Sequence, residues 1–139
     1  MAEAVQNIQF ELVSPERKLV SEPIYHAVLP AEEGQMGVGS GHSSYVVSLA
    51  PGVVELYADE NDSDKRRIFI AGGFADITSK NCTVLAEQAV NVADLDEADL
   101  AQQLKDLNED LGMTDEEADK RRVSQKITLV EAKLQALRS

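Results

Sequence analysis

The chain has 139 residues, of which 43% are hydrophobic and 27% are charged, a composition typical of a soluble globular protein. This length suffices for one ordinary domain, or for a small domain with an appendage. No uninterrupted apolar run approaches the roughly 18–20 residues that span a bilayer. A net charge of −12 argues against nucleic acid as a partner, because binding to a phosphate backbone requires clustered cations.

The first nine residues have neither a basic start nor an apolar core, so they do not resemble a signal peptide or an Arg-rich transit sequence. We therefore expect the protein to stay in the compartment where it is made. Cys82 is the single cysteine and cannot form an internal disulfide, which fits a reducing cytoplasm.

Up to about residue 92 the chain shows the period of β-strands. Ile8, Phe10 and Leu12 alternate with polar residues, as in a strand with one buried face. Short runs rich in branched and aromatic residues follow, and turn sequences separate them: the runs 53–57 and 67–70, and the turns Pro51-Gly52 and Gly72-Gly73. Many short strands with no helical stretch between them predict an antiparallel β-sandwich or flattened barrel.

From Asp94 onward the period is that of helices. Apolar residues form one stripe in each of two segments: Leu100, Leu104, Leu107 and Leu111, then Val123, Ile127, Val130, Leu134 and Leu137. Asp94 with Glu97, and Thr114 with Glu117, resemble capping boxes, and Gly112 is a natural helix stop. Two such helices joined by a short turn lie antiparallel, stripe against stripe.

Four short motifs stand out. The sequence EGQMGVGSGH, residues 33–42, is followed by Pro51-Gly52, by Gly72-Gly73 and by the TVLA sequence of residues 83–86. Together they resemble the epsilon-subunit family of F-type ATP synthases. Members of that family share an acidic glycine-rich loop ending in Gly-His, a Pro-Gly turn, a Gly-Gly turn and a Thr-Val strand, in this order. The likeness is specific over residues 32–92 and architectural in the helical part.

The resemblance implies a non-catalytic protein with two modules. Residues 1–92 would form an N-terminal antiparallel β-sandwich of about ten strands, and residues 93–139 a C-terminal antiparallel two-helix hairpin. In this family the sandwich binds the gamma subunit and rests on the ring of c subunits. The positions carried over to these contacts are Glu32, Glu33, Gln35, Met36 and His42. Ser44 stands where the family often has proline, which should loosen the turn slightly. No cofactor or metal is implied.

The hairpin of this family can lie folded or extend into the catalytic head of alpha and beta subunits, where it obstructs rotation in the hydrolytic direction. Its basic residues then meet acidic loops of the head, and the candidates in this chain are Arg121, Arg122, Lys126, Lys133 and Arg138. The alternative is a solvated helix face held by i,i+4 pairs, for example Glu117 with Arg121. Both interpretations remain open at this point.

Some family members bind ATP through Ile/Leu-Asp-x-x-Arg-Ala at the first helix. The matching residues 95–100 are LDEADL, so that Asp99 replaces the arginine. Several further acids lie nearby, and their field would repel a nucleotide. The departure from the family motif at this position therefore predicts weak or absent ATP binding.

The sequence lacks the motifs that catalytic sites and metal sites require. The glycines of residues 37–41 precede neither the glycine of a dinucleotide fingerprint nor the Gly-Lys-Ser/Thr of a P-loop. His26, His42 and Cys82 have no metal-ligand spacing, and no base for Cys82 is indicated. Asp76 and Glu87 could serve as a glycosidase pair only if the fold joined them, and there is no Trp to stack a sugar.

Two hypotheses remain. The first is a central-stalk rotor subunit of a proton-translocating ATP synthase, on the cytoplasmic face of a bacterial inner membrane and attached to it only through the complex. The absence of a transit sequence favours bacteria. The second is a free-standing β-sandwich adaptor with a helical interaction arm. The motifs favour the first hypothesis.

Overall fold

The computed structural model describes residues 7–60 and 65–138. The chain divides into two compact units, Met1–Val90 and Asn91–Ser139. The ten strands are β1 Ile8–Val13, β2 Lys18–Ile24, β3 His26–Ala31, β4 Gly34–Gly39, β5 Tyr45–Leu49, β6 Gly52–Tyr57, β7 Arg66–Ile70, β8 Gly73–Ile77, β9 Asn81–Ala86 and β10 Ala89–Asn91. A 3₁₀ turn at Val92–Asp94 precedes the helices α1 Glu97–Met113 and α2 Glu117–Arg138.

The strands form one sheet in the order β10-β7-β6-β3-β5-β8-β9-β1-β2, with β4 added to β3. The ladder between β3 and β5 contains the single residue pair Ala31 and Leu49, so the sheet has two halves that meet at this junction. The pairing of β1 with β9 is parallel, whereas the other described ladders are antiparallel. The alternation of residue types did not indicate this parallel pair, because one buried face looks the same in both directions.

The sandwich core is built from the inward positions of the strands. Ile8, Phe10 and Leu12 are fully buried, as their alternation predicts. They join one apolar cluster with inward residues of both sheet halves, among them Leu29, Val54, Ile70, Ile77 and Val84. The predicted β-sandwich is therefore confirmed, and the predicted runs 53–57 and 67–70 lie in β6 and β7.

The two helices pack through their apolar stripes. Leu100, Val130 and Leu134 form a buried cluster against which further stripe residues pack: Leu95, Leu104, Leu107 and Leu137. Residues 114–116 join the helices, so the hairpin prediction is confirmed. No helix in the described part of the chain is long and apolar enough to cross a membrane.

The predicted helix ends were wrong in detail. Asp96, not Asp94, caps α1, because its carboxylate accepts hydrogen bonds from the backbone N–H groups of Ala98 and Asp99 at 2.9 and 3.3 Å. Helix α1 passes through Gly112 and ends at Met113, since glycine tolerates helical geometry when nothing forces a turn. The Thr114 hydroxyl accepts from Glu116 N–H at 3.4 Å, so the predicted capping box with Glu117 does not form.

Candidate functional site

Four of the five predicted interface residues lie at one end of the β3–β4 hairpin. Glu32 and Glu33 form its exposed turn, which closes through Gly34 at φ +134°. Gln35 is exposed and Met36 packs against the core, as expected for neighbours on opposite faces of a strand. The turn therefore presents two carboxylates and an amide on a rigid support.

His42 lies beyond the other end of β4. Its backbone N–H donates to Gly39 at 3.3 Å, and its Nδ1 is 2.7 Å from the carbonyl oxygen of Ser43. Six residues of β4 separate it from the β3–β4 turn, a length of roughly 20 Å. The structure thus brings Glu32, Glu33, Gln35 and Met36 together and leaves His42 apart.

An open cavity of about 460 Å³ adjoins the β3–β4 turn. The backbone N–H of Glu32 donates to Ser48 at 3.1 Å and so fixes the turn against β5. The cavity is lined by the turn, by β4 and by the outer residues of β5, namely Ala31, Glu32, Glu33, Gly34, Gln35, Met36, Tyr45, Val46, Val47 and Ser48. Val46 lines this cavity and also belongs to a larger apolar surface.

That surface is an apolar patch on the outer face of β5, β8, β9 and β1. Val46, Phe74 and Leu85 are 67%, 55% and 54% exposed. Phe74 pairs with Leu85, which pairs with the half-buried Val13, so these three form one row across adjacent strands. Val46 lies diagonally beside Phe74. We call Val13, Val46, Phe74 and Leu85 the apolar patch.

The sequence analysis did not identify this patch, although a signal for it exists. In β9 the inward Val84 and Ala86 flank Leu85, so an apolar residue occupies an outward position. Phe74 does the same beside Ala75 in β8. Single exposed apolar residues are common, but a contiguous set on one face is typical of an interaction site.

The five basic candidates of α2 differ in their environment. Arg122 donates to Asp119 at 2.6 Å, and Arg138 lies 3.9 Å from Glu97 on α1. At 3.6 residues per turn, Arg122, Lys126 and Lys133 lie within roughly 40° of one another around the axis. Arg121 is exposed and lies away from this group. We call Arg122, Lys126 and Lys133 the basic stripe.

Glu117 pairs with Lys120 at 3.9 Å, and the suggested i,i+4 pair between Glu117 and Arg121 is not among the ion pairs of the described residues. Asp99, the residue that replaces the family arginine, accepts a hydrogen bond from Gln103 at 2.8 Å. Its carboxylate is therefore engaged along α1 itself.

The residues considered for a glycosidase pair and for a phosphate loop do not have the geometry that either site requires. Asp76 pairs with Thr83, whereas Glu87 lies opposite Gly72, so roughly 13 Å of strand separates the two carboxylates. A glycosidase pair requires a shorter separation. The glycines of residues 37–41 lead from β4 towards β5 and not into a helix, so they offer no helix N-terminus to a phosphate.

Cys82 is a core residue. It is fully buried in the sandwich and pairs with Phe10 and Ile77 on the neighbouring strands. Burial, and to a smaller extent the negative charge of Asp76, raise the pKa of its thiol from 9.0 to about 12. A thiol with this pKa stays protonated at neutral pH and is a poor nucleophile.

This pKa predicts a loss of stability in alkali. Below pH 9 the thiol is protonated in both states, whereas between pH 9 and about 12 only the unfolded chain ionises it. The free energy of unfolding of the wild type should fall by up to about 1.4 kcal/mol per pH unit more steeply than that of Cys82→Ala over this range. Urea unfolding of both proteins from pH 8 to 11 measures the difference. Parallel curves would contradict the prediction.

Comparison with known proteins identifies the family. A profile described as "ATP synthase, Delta/Epsilon chain, beta-sandwich domain" matches residues 7–92. The chain is 40% identical over 135 residues to an ATP synthase epsilon chain of Rhodospirillum centenum, covering 95% of this chain and 92% of the relative. It is 46% identical over 110 residues to an ATP synthase epsilon chain of Mesorhizobium japonicum, covering 79% and 78%.

Solved structures agree with the sequence relatives. A chain of the Euglena gracilis mitochondrial ATP synthase, solved as OSCP, F1 and c-ring, has a TM-score of 0.82 at 25% identity, over 98% of this chain and 84% of that one. A chain in the central stalk and c-ring structure of the Tetrahymena thermophila enzyme has a TM-score of 0.63 at 14% identity, which shows a shared fold. The chain therefore belongs to the ATP synthase epsilon chain family and is a non-catalytic subunit of that enzyme.

Proposed function

We propose that the chain is a central-stalk rotor subunit that couples rotation of the c ring to the gamma subunit and the catalytic head. The observation that carries this proposal is the apolar patch, a contiguous exposed surface on a closely packed sandwich. A subunit without catalytic chemistry acts through such surfaces, because apolar contact provides affinity while a stiff core transmits force.

The two partners would bind at different places on the sandwich. The apolar patch, together with His42, would contact gamma. The turn formed by Glu32 and Glu33, with Gln35 and Met36, would contact the c ring. Since the β3–β4 turn and His42 lie at opposite ends of β4, a single strand paired along its length joins the two contacts. Torque would then pass through backbone hydrogen bonds and not through a flexible loop.

A binding measurement with purified gamma tests this assignment. Phe74→Asp or Leu85→Asp should weaken gamma binding by a factor of about 30 or more, because a buried anchor residue contributes about 2 kcal/mol or more. Met113→Asp is a matched control, since Met113 is 84% exposed on the helical hairpin and outside the patch. Unchanged affinity in both patch variants would contradict the proposal. Co-purification with a second copy of the chain would favour the adaptor alternative.

The hairpin would provide a brake on ATP hydrolysis. Its buried cluster is small, and its basic stripe is largely solvent-exposed. A marginally stable element of this kind can adopt a second position when a partner binds that position more tightly. The acidic loops of the alpha and beta head would attract Arg122, Lys126 and Lys133 in that position, with Arg121 and Arg138 beside them.

The location of the protein in the cell would follow from its place in the ATP synthase complex. The protein would be held peripherally at the cytoplasmic face of a bacterial inner membrane through gamma and the c ring. The relatives named above, from Rhodospirillum centenum and Mesorhizobium japonicum, support a bacterial enzyme.

A further inference from the structure

The carboxylates on the described strands are not equivalent. Three of the four form ion pairs within the sandwich: Glu11 with Lys18 at 3.2 Å, Glu22 with Arg66, and Glu55 with Lys65 at 2.9 Å. The fourth is Asp76 in β8, and it has no cation partner among residues 7–60 and 65–138. The remaining residues of the chain contain no Lys, Arg or His. Among the residues that the structure describes, Asp76 is therefore the strand carboxylate without a basic partner.

Asp76 lies at the edge of the apolar patch. Its cross-strand neighbours are Val46 on β5 and Thr83 on β9, and Phe74 precedes it by two residues on the same face. Its side chain is exposed, so water solvates the charge when nothing covers the patch. A partner that covers Val46 and Phe74 also removes water from Asp76. A carboxylate that loses its water in this way opposes binding unless a cation replaces the water.

We propose that Asp76 accepts a Lys or Arg side chain of the partner that covers the apolar patch, and that this ion pair fixes the register of the two proteins. The proposal rests on the proposed function, which makes this partner the gamma subunit. The apolar patch alone can be covered in several neighbouring positions. A single charge pair beside it makes one position more favourable, because every shifted position leaves Asp76 desolvated and unpaired.

The test measures binding of purified gamma to the full-length chain at low and high salt. Asp76→Asn keeps the shape and removes the charge, and it should weaken binding at least tenfold at low salt. The difference from the wild type should shrink as salt rises, since salt screens the ion pair. Asp76→Lys should weaken binding further. Glu60→Gln is the matched control, because Glu60 is an exposed carboxylate in the β6–β7 connection, outside the strands of the patch.

The outcomes separate the two proposals. Loss of binding in Phe74→Asp with wild-type affinity and salt dependence in Asp76→Asn would overturn the role of Asp76 and leave the gamma contact intact. Tighter binding by Asp76→Asn would also overturn it, because the carboxylate would then oppose the complex. If the wild type does not bind gamma, the proposed function itself fails. Thermal unfolding of each variant shows whether the fold is kept, and Asp76→Ser provides a second neutral variant if Asp76→Asn is unstable.

Discussion

Replacing Gly73 by alanine should destabilise the sandwich by more than about 4 kcal/mol, a loss that leaves a domain of ordinary stability largely unfolded. Gly73 begins β8 with φ +147°, a conformation that side chains rarely adopt. A Cβ atom there would lie 2.0 Å from the carbonyl oxygen of Leu85 and 3.0 Å from the Cα of Ala86. Both contacts are with backbone, so no side-chain rotation relieves them.

The position of Gly73 in the sheet means that the substitution should disturb more than its own strand. Its strand pairs with β5 through Leu49 and with β9 through Ala86, so a shift of the backbone here separates the inner strands of one sheet half. The row formed by Phe74 and Leu85 begins one residue later. We therefore expect Gly73→Ala to lose both stability and gamma binding.

Two other glycines are matched controls for this variant in urea unfolding. Gly34 has φ +134° but open space around it, so Gly34→Ala should show backbone strain alone, about 1–2 kcal/mol. Gly112 lies in α1 with nothing within 4 Å, and Gly112→Ala should stabilise the helix by up to about 1 kcal/mol. A midpoint of Gly73→Ala equal to that of Gly34→Ala would show that the contact with Leu85 does not matter.

Removal of residues 94–139 from the assembled enzyme should raise the rate of ATP hydrolysis at least threefold. The proposed brake requires the hairpin to occupy a position in the catalytic head that opposes rotation, and the truncated chain cannot occupy that position. A switch from mostly folded to mostly extended requires partners that discriminate by several kcal/mol, and the proposed contact of the basic stripe with acidic loops would supply part of that difference. High salt should therefore weaken the brake in the full-length enzyme.

ATP synthesis and binding of gamma are the controls for this truncation. Both should persist, because the sandwich, its core cluster and the apolar patch precede residue 94. A charge variant of the full-length chain, Lys126→Glu, should reproduce part of the rise, whereas Arg121→Glu should have a smaller effect because Arg121 lies outside the basic stripe. An unchanged hydrolysis rate after truncation would contradict the proposed brake and leave the proposed coupling role intact.

The local period of the sequence determined the elements of this protein. Alternation placed Ile8, Phe10 and Leu12 on the buried face of β1, and helical spacing placed Leu100 and Leu134 in the seam of the hairpin. Both placements were predictable because inward positions recur every 2 residues in a strand and about every 3.6 residues in a helix. The buried face of an element can therefore be inferred from residues close together in the sequence. The motifs at residues 33–42 and at Gly72-Gly73 also indicated the family from the sequence, because the turns that they form need particular backbone geometries.

Only the tertiary structure decided which surface residues lie together. The apolar patch collects Val13, Val46, Phe74 and Leu85 from four strands, and Asp76 acquires its apolar neighbours from the register of β5 on β8. The extended strand β4 separates His42 from the β3–β4 turn, although both belong to one motif. The period of a strand fixes which of its faces is buried, but it does not say which distant strand lies beside it or how the two are aligned. For this reason the sequence indicated the family and its loop, whereas the patch and the proposed role of Asp76 emerged from the fold.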